Sequence, residues 1–148
     1  MSSQVTLKLT GPMDHLRLVW QTGEVLLDTV AFDEDPESTR YHVLLALQEM
    51  LTNVLRHGYQ LDESKPIEVV FDMQAESFRI TLRDQGPAFD PMQHESDVGE
   101  DDRMPTAVGG HGIRIARLVM DGVDYERQGD WNVLTLTKFA RARAIATT

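Results

Sequence analysis

Three short stretches hold residue types that could do chemistry together. The first is Glu49-Met50-Leu51-Thr52-Asn53-Val54-Leu55-Arg56-His57-Gly58-Tyr59, which spaces a carboxylate, a carboxamide and an imidazole four residues apart. On an α-helix each such step advances about 40°, so Glu49, Asn53 and His57 share one polar stripe. Leu44, Leu47, Leu51, Val54 and Leu55 fall roughly opposite, as on a helix packed against a core. A solvated helix face looks the same, so the stripe alone decides nothing. Its chemistry is nevertheless specific. Glu49 can accept a proton from an attacking hydroxyl or water, and Asn53 can give one oxygen to a hydrated Mg²⁺, which takes few protein ligands.

The second stretch is Asp84-Gln85-Gly86-Pro87-Ala88-Phe89. A carboxylate at a strand end can accept a hydrogen bond from an exocyclic amine such as that of adenine, and Gly86 lets backbone approach a flat ring. A turn-forming Asp would read identically. The third, Gly109-Gly110-His111-Gly112, runs into a helical pattern beginning at Ile113. Exposed amides and the helix dipole at such a start favour anionic oxygens.

The elements that must position these stretches follow in order. Val5 to Thr10 alternates as a strand with one buried face, and Gly11-Pro12 ends it, with Pro12 suited to the first position of a helix. Leu16, Val19, Trp20, Gly23, Leu26, Leu27 and Val30 recur at helical spacing. Ala31 to Asp35 is an acidic connector. Asp35-Pro36-Glu37 starts a second helix with a capping oxygen, a pre-set φ and an acid in the first turn; it runs to about His57, with Gly58 as C-cap. Ile67 to Met73 and Phe78 to Arg83 form a hairpin. Residues 90–108 carry two prolines and several acids without periodicity, the character of a functional loop. After the third helix, Val123 to Arg127 and Trp131 to Phe139 form a last hairpin around Gln128-Gly129-Asp130, and residues 140–148 read as a frayed tail. The whole is one domain, 1–148, an α+β two-layer sandwich with a mixed, mostly antiparallel sheet and helices on one face.

Bulk properties narrow the function. The chain has 148 residues, a net charge of -10 and no cysteine. An acidic surface repels phosphate backbones, which argues against direct nucleic-acid binding. Without cysteine there is no disulfide framework and no thiolate site. No apolar run spans a membrane and no signal peptide opens the chain, so the expected place is the cytoplasm. A Gly-x4-Gly-Lys-Ser/Thr loop, a dinucleotide fingerprint and a Gly-x-Ser-x-Gly elbow are all missing.

In this order, the three stretches resemble the N, G1 and G2 boxes of the GHKL (Bergerat-type) ATP-binding superfamily. Within it, the short chain and Glu49-Met-Leu-Thr-Asn53-Val-Leu-Arg-His57-Gly58-Tyr59 resemble the anti-sigma factor serine-protein kinases, the histidine-kinase-like ATPase domains of bacterial partner switching. Val119 to Asp124 is similar to that subfamily too. The resemblance implies ATP and Mg²⁺ as cofactors, Glu49 as general base and Asn53 as magnesium ligand, with His57 beside them at the nucleotide. It implies Asp84 as the adenine-reading carboxylate, Gly86 beneath the base and Phe89 near the pocket. Residues 90–108 match the ATP lid, and Gly109, Gly110, His111, Gly112 and Ile113 the phosphate-binding turn, His111 having no catalytic role. Thr135 or Thr137 would contact adenine; the sequence does not choose between them. Some relatives carry an arginine just before the G2 glycines, where this chain has Val108, and the nearest lid cation is Arg103.

The implied activity is serine/threonine phosphorylation of a STAS-type anti-sigma-factor antagonist, with a sigma factor or other regulatory target as the second partner and a homodimer permitted. The alternative is an ATP-binding regulatory module that transfers no phosphate.

Overall fold

The computed structural model describes residues 2–32, 35–90 and 110–142, and only the backbone of 110–113, 141 and 142. Strand β1 (Ser3–Leu9) leads through a bend at Gly11, whose φ is +92°, into helix α1 (His15–Leu27). The expected start at Pro12 is displaced. Asp14 caps the helix instead, its side chain accepting from the Arg17 amide at 3.1 Å. A short strand β2 (Val30–Ala31) follows, then α2 (Pro36–Asn53). Asp35 caps α2 by accepting from the Ser38 amide, and Pro36 sits in its first turn as expected.

α2 does not run on to His57. Val54–Gly58 forms a π-helical turn, closed by Tyr59 N–H donating to Val54 O at 2.7 Å. Gly58 is not the left-handed cap; positive φ falls on Gln60 and Leu61 instead. π turns are rare and concentrate at functional sites. This one lies directly after Asn53.

Strands β3 (Ile67–Met73) and β4 (Ser77–Asp84) make the expected hairpin, and after α3 (Gly110–Val119), β5 (Gly122–Gln128) and β6 (Trp131–Phe139) make the second. The five-stranded sheet has the order β1-β3-β4-β6-β5. Each of its pairings is antiparallel, in keeping with the mostly antiparallel sheet expected. The helices lie on one face of this sheet, with α2 packed between α1 and α3. α2 accordingly buries Val43, Leu44, Ala46, Leu47, Met50 and Leu51, a broader surface than one stripe. The tail is not frayed where it begins. Ala140 is buried, its amide donates to Glu76 O, and β7 (Arg141–Ala142) pairs with β2. Residues 143–148 lie outside the described part.

Alternation along the strands builds the site's floor. Ile80, Leu82 and Asp84 of β4 stand opposite Leu136, Leu134 and Asn132 of β6, and all six are buried. Two apolar pairs thus lead to one polar pair at the end of the core.

Candidate functional site: a buried carboxylate beside the end of a helix

Asp84 ends β4 in the inward phase and is 7% exposed. Its Oδ1 accepts from the Gly86 amide at 2.8 Å, which makes it a turn-forming Asp as well, and from Asn132 Nδ2 at 3.0 Å. Asn132 Nδ2 also donates to Gly86 O at 3.2 Å and Pro87 O at 3.0 Å. On its other side, Asn132 Oδ1 accepts from the Tyr125 hydroxyl, from Phe89 N–H at 3.3 Å and from Arg127 Nη1 at 3.2 Å. Arg127 Nη1 further reaches Gly86 O at 2.8 Å. Asn132 is therefore a satisfied buried amide that holds the whole 84–89 turn. With Oδ1 of Asp84 committed to this network, Oδ2 makes no hydrogen bond among the described residues.

Burial pushes the Asp84 carboxyl above its usual range, against the Asn132 and Gly86 hydrogen bonds and the Arg127 charge, which favour the ionised form. A buried carboxylate with one uncommitted oxygen is costly unless something pairs with it. Strained electrostatics of this kind mark functional sites.

Gly86 has a second role that its position after a strand did not disclose. A Cβ there would meet Asp84 Oδ1 at 3.0 Å and Gly58 Cα at 3.3 Å. The glycine lets the turn after β4 lie against the π turn after α2.

On α2, Glu49 and Asn53 are half-buried and one helical turn apart. Asn53 Oδ1 is buried with no hydrogen-bond partner, which is unusual for a native amide oxygen. That orphaned oxygen fits a hard cation, which takes oxygen ligands. Among the described residues no group of three or more His, Asp or Glu could hold a metal ion. His57 falls in the π turn with its side chain exposed, so the expected polar stripe is regular only as far as Asn53.

The structure does not bring Thr135 or Thr137 to this site. They alternate with Leu134 and Leu136 and stand opposite Thr81 and Arg79, on the face away from the helices. Asn132, in phase with the leucines, occupies the place foreseen for a threonine. The sequence held that signal, because period-two alternation puts Asn132, Leu134 and Leu136 on one face. Phe89 is 39% exposed at the mouth, tied through its amide to Asn132 and Tyr125. Gly110, His111, Gly112 and Ile113 form the first turn of α3, which packs on α2. Gly109 and lid residues 91–108, with Arg103 and Val108, lie outside the described part.

Residues 14–138 match the histidine kinase-like ATPase domain family. The chain belongs to that family. It is 32% identical over 101 residues to the serine/threonine-protein kinase BtrW of Bordetella bronchiseptica, covering 66% of this chain and 69% of that one. To the serine-protein kinase RsbW of Bacillus subtilis it is 24% identical over 105 residues, covering 68% and 65%. Among solved structures, the RsbU and RsbW domains of a Mycobacterium tuberculosis protein superpose with a TM-score of 0.62 at 18% identity, over 99% of this chain and 34% of that one. The catalytic domain of histidine kinase ThkA superposes at 0.53 and 11% identity, covering 91% and 97%. These two likenesses establish the histidine-kinase-like ATPase fold. Membership of a histidine kinase-like ATPase family implies that the chain binds ATP.

Proposed function

We propose that this histidine kinase-like ATPase domain is an ATP-dependent serine/threonine protein kinase that acts as an anti-sigma factor in a bacterial partner-switching system. Its substrate would be a STAS-type anti-sigma-factor antagonist, and a sigma factor or another regulatory target its second partner. The observation that carries this reading is the orphaned Asn53 oxygen one helical turn from Glu49, on a helix whose continuation at Gly58 lies against Gly86, two residues from the buried Asp84. The named kinase relatives support phosphoryl transfer as the outcome.

In this reading Asp84 Oδ2 accepts from the adenine amine, and the Gly86 backbone passes beneath the ring. The first turn of α3, from Gly110, offers amides and the helix dipole to the phosphate oxygens. Asn53 Oδ1 would hold Mg²⁺, which when bound would neutralise charge on the triphosphate. Glu49 takes the proton of the attacking Ser or Thr hydroxyl as its oxygen bonds to the γ-phosphorus and the bond to the bridging oxygen breaks, releasing ADP. Positioning and electrostatics supply most of the acceleration in such a transfer. The cytoplasm, where ATP and sigma factors reside, is the matching location; among the described residues no helix is long and apolar enough to cross a membrane.

The test is transfer from γ-labelled ATP to a STAS-domain protein by wild type and Glu49→Ala. A kinase loses transfer in the variant, by about 10²–10⁴-fold, and still binds ATP. Binding by wild type without any transfer would leave a nucleotide-switched module. An acid-labile product would contradict the Ser/Thr assignment in favour of phosphohistidine.

A further inference from the structure

The segment after α2 contains one core residue whose hydroxyl neither the catalytic reading nor packing accounts for. Tyr59 follows the π turn and is only 2% exposed. Its hydroxyl donates to Pro66 O and accepts from the Gln85 amide at 2.6 Å. Gln85 lies between Asp84 and Gly86, whose amide fixes Asp84 Oδ1. One residue earlier, Gly58 meets Gly86 so closely that a Cβ on Gly86 would come within 3.3 Å of Gly58 Cα. The helix that carries Glu49 and Asn53 is therefore joined to the turn that carries Asp84 at two adjacent points, one of them polar.

We infer that Tyr59 is a positioning residue of the nucleotide site, its buried hydroxyl fixing the turn that carries Asp84 against the end of the helix that carries Asn53. The inference rests on the nucleotide reading and goes beyond it. A phenylalanine would fill the same volume, so packing does not require the oxygen. The hydroxyl matters because it is the hydrogen-bond partner the structure provides for the Gln85 N–H, where the strand has ended and no ladder continues. A ligand bound at both ends of a cleft gains most when those ends are held at one separation before it arrives. The π turn serves the same purpose, because its Tyr59 N–H to Val54 O bond brings the chain round to place Tyr59 under β4. Burial holds the Tyr59 hydroxyl above its usual pKa, and the Asp84 charge adds to the effect, so it stays protonated and able to donate across the ordinary pH range.

The test is calorimetric titration of a non-hydrolysable ATP analogue with Mg²⁺ into wild type, Tyr59→Phe and the remote core variant Val19→Ala. Exchange of the Gln85 amide is followed by NMR in each. Tyr59→Phe should weaken binding by about fivefold to tenfold, the worth of one lost hydrogen bond, at unchanged stoichiometry, and should speed Gln85 exchange. Val19→Ala should lower the melting temperature without changing the dissociation constant. An unchanged dissociation constant in Tyr59→Phe, or a loss only of stoichiometry through unfolding, would overturn the inference and leave Tyr59 a packing residue. Should Tyr59→Phe fail to fold, p-aminophenylalanine at position 59, which keeps a donor for Pro66 but is a poor acceptor for Gln85, is read by the same two outcomes. A wild type that binds no nucleotide would overturn the functional reading itself, a result distinct from any difference between variants.

Discussion

At the scale of single residues, the site depends on how one carboxylate is treated. Asp84 is buried, and burial raises its carboxyl in the folded protein above the ordinary value. In the unfolded chain the proton leaves at lower pH, so between the two values the folded state holds more protons. Folding stability should therefore fall as pH rises from about 4 through the folded value. Asp84→Asn, which keeps an acceptor for Gly86 and Asn132, should remove that fall, and thermal denaturation of both proteins across pH would display it. Asn132→Ala takes away a donor and orphans several partners. It should cost about 1–3 kcal/mol of stability and move the pH dependence of ATP binding upward, because Asp84 loses a group that favours its charge. Thr135→Ala and Thr137→Ala should leave ATP affinity unchanged and alter stability by no more than about 1 kcal/mol, since both face away from the helices. Of these residues, Asp84 could be placed at a strand end from the sequence, where a turn-forming Asp reads identically. Asn132 was missed because a family expectation of threonine outweighed the strand's own alternation.

At the scale of elements, both hairpins and the start of α2 were readable from the sequence, because turn residues and capping chemistry are local. The π turn was not, because no local residue preference specifies it. Its hydrogen bonds are chosen by what the segment must reach, Gly86 on one side and Pro66 and Gln85 on the other. The β2–β7 pair escaped notice for a related reason: two residues against two carry no periodicity, and they pair across almost the whole chain. Gly86→Ala tests the element contact directly. Its methyl group would press on Asp84 and the Gly58 backbone, costing about 1–3 kcal/mol, seen as a melting temperature lower by several degrees, with weaker nucleotide binding at equal folded fraction.

At the scale of the whole molecule, helix α2 carries Glu49 and Asn53, and the buried β4–β6 row ends in Asp84 and Asn132. A net charge of -10 disfavours a bare polyphosphate, which a divalent cation at the orphaned Asn53 oxygen would offset in the proposed function. The most direct measurement is titration of a non-hydrolysable ATP analogue into wild type and Asp84→Asn, each with and without Mg²⁺. The account predicts saturable binding to wild type that Mg²⁺ strengthens, and a loss of about 10–100-fold in Asp84→Asn with the fold intact. Folded wild type that takes up no nucleotide, or Asp84→Asn that binds it equally well, would contradict the account.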